Sequence, residues 1–189
     1  LSGIEPGDQV ILGGSPSFIF ASATAATEVI VNTTGYTTSG SDSENYTLTQ
    51  PILSADIIPA PLTVVANSGQ AKVYGSTDPT LTYTISGFIG DDTEANLDTP
   101  VSILRGAGES VGNYPILTYG AADSNYSITF ANSNFSITPA LLTVTASSGQ
   151  TKVYGSDDPT LTYSFTGFVL GDLESDLDTG VIISRDAGE

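Results

Sequence analysis

The sequence predicts an all-β fold built of tandem modules, and three observations carry that expectation. The stretch KVYGSTDPTLTY, Lys72 to Tyr83, returns as KVYGSDDPTLTY, Lys152 to Tyr163, a period of 80 residues. At that offset, positions 61–109 and 141–189 agree at 31 of 49. Short runs alternate apolar with polar residues, the pattern expected of antiparallel sheets with one face in a core and the other in water. Gly, Pro, Asn and Asp separate those runs where chains turn. Self-similarity at a fixed period marks an array in which each unit adds length rather than a new chemistry.

In chain order, Val29-Ile30-Val31 is a continuous β-branched run and predicts a strand buried on both faces. Tyr46-Thr47-Leu48 alternates instead. In the middle unit Leu62-Thr63-Val64 opens the first strand, and Ser68-Gly69 and Asp78-Pro79 mark turns. Leu81 to Ile85 alternates and stops at Gly87. Asp91 to Asp98 breaks the alternation and fits a helical turn or two, with Asp92 as N-cap and Leu97 dipping into the core. Asp172 to Asp178 repeats this with Asp172 and Leu177. Beyond the Gly112-Asn113 turn, Tyr126 to Phe130 and Phe135 to Thr138 alternate on either side of Asn132-Ser133-Asn134. Each unit therefore reads as six or seven strands with one short helix. Both an Ig-like sandwich and a small β-grasp unit satisfy that pattern.

Residues 1–60 read as a partial unit, 61–140 as a complete one and 141–189 as a second partial one. Asn45-Tyr46 and Pro59-Ala60 keep the frame of Asn125-Tyr126 and Pro139-Ala140. No Gly/Ser linker separates the units, and Pro139 stiffens the joint by fixing φ. One strand should lead almost directly into the next unit, giving a semi-rigid, elongated rod. A window cut from a longer protein accounts for the partial units. So does complementation, in which neighbouring chains supply each other's missing halves by donated strands.

Four Lys and Arg stand against 21 Asp and Glu, a net charge of −17. Such a polyanion is repelled by phosphate backbones and anionic lipid, which argues against nucleic-acid partners and charge-driven membrane adhesion. The 39% hydrophobic content is nonetheless enough to build small cores. Cys, Met, Trp and His are all absent, so the units must hold by packing and hydrogen bonding without disulfides. No run reaches the ~18 apolar residues that a membrane-spanning helix needs, so direct insertion is not expected. The Thr-, Ser- and Gly-rich acidic surface fits an extracellular chain.

The stretch Tyr74-Gly75-Ser76, Asp78-Pro79, Leu81-Thr82-Tyr83, the later Gly112-Asn113-Tyr114-Pro115-Ile116, Asn125-Tyr126-Ser127-Ile128 and the closing Ile137-Thr138-Pro139-Ala140 resemble the MBG domain of YGX type. Residues 141–189 match its first half. Residues 1–60, through Leu1-Ser2-Gly3, Gly7-Asp8, Ser43 to Thr49 and Ala55 to Ala60, resemble the tail of a YDG-type repeat. The resemblance implies a secreted or surface-anchored stalk of large bacterial adhesins, described as mucin-binding by association, and brings no defined binding site.

Three sets of side chains are candidates for chemistry. Asp92, Glu94, Asn96 and Asp98, with Asp172, Glu174, Asp176 and Asp178, place oxygen ligands at alternate positions as calcium loops do. Leu97 or Leu177 stands where such a loop needs Gly, and a solvated acidic turn is the plainer reading. Lys72 and Lys152, with Arg105 and Arg185, either neutralise nearby carboxylates or, for a lysine buried as the neutral amine, form an intramolecular amide. Tyr74 and Tyr154 offer faces for sugar stacking, whereas Tyr83 and Tyr126 alternate with apolar residues and belong in the core.

Without His or Cys the usual base and thiol nucleophile are missing, nothing selects a carboxylate pair, and no catalytic residue is assigned. No cofactor is expected, calcium being the one candidate. The function that follows is a structural stalk segment of a bacterial cell-surface adhesin or filament, serving adhesion, biofilm cohesion or gliding. Its partners are neighbouring repeats of the same chain or fibre. The alternative is a weak glycan- or mucin-binding module in each repeat, acting by avidity.

Overall fold

The structure, a computed structural model, describes residues 1–186 and 188. Among these residues the chain forms twelve strands: β1 (Ile11–Phe20), β2 (Ala26–Ser39), β3 (Ile52–Ile57), β4 (Ala60–Ala66), β5 (Gln70–Val73), β6 (Tyr83–Ser86), β7 (Ser102–Arg105), β8 (Gly112–Tyr119), β9 (Tyr126–Ala131), β10 (Ser133–Thr138), β11 (Thr143–Ala146) and β12 (Tyr163–Thr166). Their sheets run β1-β2-β3, β6-β4-β9, β5-β10-β8-β7 and β11-β12. The protein is all-β, and the middle repeat carries seven strands.

Alternation becomes burial directly. In β4 Leu62, Val64 and Ala66 are buried and Val65 is exposed. In β10 Phe135 and Ile137 are fully covered on either side of half-buried Ser136. One core gathers Leu62, Leu97, Ala121 and Tyr126, with Ile85, Phe88 and Ile128 packed against them. A second joins Ala66, at the end of β4, to Ile116, Phe135 and Ile137 of the four-stranded sheet. Strands of two different sheets share that core, which is sandwich-like packing.

Three local expectations are corrected. Val29 and Val31 are buried but Ile30 between them is 51% exposed, so β2 has one wet face and is not enclosed on both. A run of three β-branched residues follows strand propensity as readily as burial. The acidic segments form only three-residue 3-10 turns, Glu94–Asn96 and Glu174–Asp176. Leu97 is extended and drops into the core as expected, and Thr99 bridges Ala122, which pulls the chain out of helical geometry. The residue capping the first turn is Thr93, whose N–H and hydroxyl both donate to Asn96 Oδ1, at 2.9 and 3.0 Å. Leu173 takes that position in the second turn, its N–H donating to Asp176 Oδ2 at 2.7 Å. Finally, β5 and β10 pair in parallel, Gln70 opposite Phe135 and Val73 opposite Thr138. The first and last parts of a repeat can pair this way because the intervening strands return the chain to the same direction.

The chain divides into two compact units. The first comprises 1–64, 85–102 and 119–130; the second comprises 65–84, 103–118 and 131–189. The division runs through the middle repeat, so each unit contains a junction between repeats. Two residues, Ile58 and Pro59, separate β3 from β4, and four, Pro139 to Leu142, separate β10 from β11.

Candidate functional site

Two arrangements recur with the repeat. The first is a charged clamp. Lys72 points from β5 into the second unit, with its side chain 4% exposed, and its ammonium lies 2.7 Å from Asp78 Oδ1 and against Glu109 Oε2. Arg105, at the end of β7, grips the same two acids: Nε to Asp78 Oδ2 at 2.5 Å, Nη2 to Asp78 Oδ1 at 3.0 Å, and Nη2 to Glu109 Oε1 at 2.6 Å. Its Nη1 donates to the carbonyls of Gly106 and Gly108. The guanidinium lies over the rings of Phe135 and Tyr114, with 5.2 and 5.5 Å to their centroids. Asp78 thus joins both cations, and Arg105 links the polar cluster to the Phe135 core.

The electrostatics follow from this geometry. Arg105 and Lys72 together hold the Asp78 carboxyl down to about 2. Lys72, then Arg105, depress Glu109 in the same sense. Asp78 and Glu109 raise Lys72 in turn. An amide bond from Lys72 needs the neutral amine, and these partners favour the ammonium. The clamp is therefore an ionic network.

The third repeat rebuilds it. Asp158 binds Lys152 at 3.0 Å and Arg185 through Nε and Nη2 at 2.7 and 2.9 Å, and its carboxyl is held to about 2 by Arg185 and then Lys152. Glu189, the counterpart of Glu109, lies outside the described residues. Sequence reading singled out the cations and treated Asp78-Pro79 only as a turn. The recurrence of Asp78 as Asp158, in step with both cations, was the signal for its role.

The second arrangement pins acidic turns with tyrosine hydroxyls. Tyr126 donates to Asp92 Oδ2 at 2.6 Å and accepts the Ile89 N–H at 3.0 Å. In the first repeat Tyr46 donates to Asp8 Oδ2 at 2.7 Å and accepts the Glu5 N–H at 2.9 Å. The turns close alike, with the Asp92 N–H on the Ile89 carbonyl and the Asp8 N–H on the Glu5 carbonyl. Phe88 meets the Tyr126 ring edge-on at 5.6 Å. The Asp92 carboxylate raises the Tyr126 hydroxyl's pKa because it stabilises the protonated form.

The expected calcium ligands lie within these turns. Asp92 receives Tyr126, Asn96 receives Thr93, Asp176 receives the Leu173 N–H, Glu174 receives Tyr163, and Asp172 lies beside Tyr74, whose pKa it raises. Asp98 and Asp178 are exposed, and Glu94 is half-buried. Among the described residues no group of three or more acidic side chains gathers as a metal site. The two candidate sugar-binding tyrosines part company: Tyr74 is half-buried against the second core, whereas Tyr154 is 89% exposed.

Both junctions carry a concavity in equivalent positions. A cavity of 380 Å³ is lined by Ile57, Ile58, Ala60, Ile89, Asp92 and Tyr126 among others. One of 240 Å³ is lined by Tyr74, Pro139, Ala140, Val169 and Asp172 among others. At the first junction the Asn125 carbonyl accepts the Ala60 N–H and its side chain accepts the Ala25 N–H, both at 2.9 Å. Asn125 thus closes the backbone of the joint.

No helix among the described residues is long and apolar enough to cross a membrane. Comparison with curated proteins and with solved structures gives no match. Residues 1–53 match the YDG domain, and residues 62–136 and 142–189 match the MBG domain of YGX type. Both are repeat domains of extracellular surface proteins. Since the two MBG segments span more than half of the 189 residues, the chain belongs to the MBG domain family of YGX type.

Proposed function

We propose that this chain is a structural stalk segment of a repetitive bacterial cell-surface adhesin or filament, a spacer without catalytic groups of its own. The observation that carries the reading is the junction. Two to four residues separate the last strand of one repeat from the first strand of the next, and each compact unit includes one such joint. Polar side chains are used to fasten turns, in the charged clamp and the tyrosine–aspartate pins. The net charge of −17 keeps neighbouring fibres apart and in solution. The extracellular bacterial surface is the setting, and adhesion, biofilm cohesion or gliding the process that such a spacer serves.

Single-molecule pulling tests the reading. In a tandem array of residues 61–140 each period contributes 80 residues, so successive force peaks should be spaced by roughly 260–290 Å of chain, less the folded end-to-end distance. A parallel assay on immobilised mucin separates the avidity reading. The spacer reading expects the chain to wash off, and retention of the chain on mucin glycans overturns it.

A further inference from the structure

Tyr74 and Gly75 are where one repeat receives the next. They follow β5, and Gly75 has φ +83°, a left-handed conformation natural to glycine. A Cβ at Gly75 would stand 2.6 Å from the Val169 side chain, so the following repeat approaches to backbone contact. Tyr74 packs against the second core and lines one cavity with Val169 and Asp172, where the Asp172 carboxylate raises the tyrosine's pKa. Val169 and Asp172 are the two ends of one turn, closed by the Asp172 N–H on the Val169 carbonyl at 3.0 Å. In the middle repeat Ile89 and Asp92 are their counterparts, and there Tyr126 pins the turn from within the repeat.

The third repeat carries the same receiving half. Gly155 has φ +78°, and the turn closes in the same way, the Ser156 N–H on the Val153 carbonyl at 3.1 Å where Ser76 meets Val73 at 3.0 Å. Yet Tyr154 is 89% exposed, and a Cβ at Gly155 would meet nothing within 4 Å among the described residues. The turn alone accounts for the glycine. Tyr154 thus has the backbone setting of Tyr74, while the 80-residue counterparts of Ile116, Phe135 and Ile137, which cover Tyr74 from within its repeat, and of the Val169–Asp172 turn fall beyond residue 189.

We propose that Tyr154 and Gly155 form a docking surface for a further repeat of this type in the same chain, which seats its β-branched-x-x-Asp turn, the counterpart of Val169–Asp172, on them. The occupant follows from continuity: the chain already makes this contact once, between identical receiving residues and a turn of that form. The inference rests on the spacer reading and deepens it by naming what each repeat grips in the next.

Tyrosine nitration, mapped residue by residue by mass spectrometry, tests it. In the 189-residue chain Tyr154 should react readily and Tyr74 should be protected. Asp172→Ala should uncover Tyr74. If it leaves Tyr74 protected, the contact being extrapolated is not a latch and the proposal falls. A lengthened chain then has residues 110–189 appended once more after Glu189, which completes the third repeat and adds the turn. Protection of Tyr154 should appear, and should vanish when the appended copy's counterpart of Asp172 is changed to Ala. Tyr154 that stays reactive in the lengthened chain overturns the proposal. Mucin retention or a failed pulling pattern would sink the spacer reading without altering Tyr154 protection, so the two ideas fail separately.

Discussion

The Lys72 ammonium lies 2.7 Å from the Asp78 carboxylate, and 80 residues later Lys152 meets Asp158 at 3.0 Å. Each lysine comes from the same point in its repeat, each acid from the following Asp-Pro turn, and each acid also takes an arginine through two nitrogens. This duplicated ion network gives the repeats their most specific polar signature and a measurable response to acid.

Asp78 and Asp158 each have a folded pKa of about 2 against an ordinary 3.8. A depressed carboxyl contributes stability above its unfolded value and loses that contribution as pH falls through the folded one. Melting temperature should therefore be flat from neutral pH to about 4 and drop between about 4 and 2. Asp78→Asn should lower the plateau and shrink the acid-dependent step, as read by circular dichroism melts across that range. A step unchanged in the variant would assign acid sensitivity to other carboxylates.

Arg105→Lys should cost on the order of 2 kcal/mol in denaturant unfolding, because an ammonium cannot reproduce the two-pronged grip or the stacking on Phe135 and Tyr114. Arg185→Lys should cost clearly less. Its side chain is 40% exposed against 9% for Arg105, and solvent screens its ion pair with Asp158. Equal costs would mean that burial is not what strengthens the first clamp.

Tyr126→Phe removes one hydroxyl that both donates to Asp92 and accepts the Ile89 N–H. The expected loss is about 1–2 kcal/mol, with the ring packing retained. Amide exchange at Ile89 should accelerate more than at Leu62, which sits in the same core without using the hydroxyl. Uniform acceleration would point to a general loosening.

Chelator and added calcium should leave the melting temperature where it was. Asp92, Asn96, Glu174 and Asp176 already accept hydrogen bonds within the protein, and a cation would have to displace them. A rise in melting temperature with calcium would show that the turns reorganise around the ion.

The strands were legible because alternation is a local property that burial then uses: Leu62 and Val64 inward, Phe135 and Ile137 inward, Tyr126 in the core. Leu97 was legible for the same reason, as a lone apolar residue in an acidic run. The parallel β5–β10 pair was not, since its partners lie 65 positions apart and no turn between them fixes their direction. Helix was overestimated in the acidic turns, where capping residues are present but a three-residue turn with an extended Leu97 satisfies them. At the site level the cations stood out by rarity. Asp78 was hidden among 21 acids until geometry placed it between Lys72 and Arg105. Tyr74 and Tyr154 look identical in sequence, and only distant residues distinguish the first: the core of Ile116, Phe135 and Ile137 that it packs against, and Val169 and Asp172 beside it.

Because each compact unit straddles a repeat boundary, the period has no privileged starting point. Within the two MBG segments, deleting or duplicating 80 residues in frame joins equivalent positions, inside a strand as well as between domains. A gene carrying such repeats can change copy number by misaligned crossover while equivalent positions stay in register.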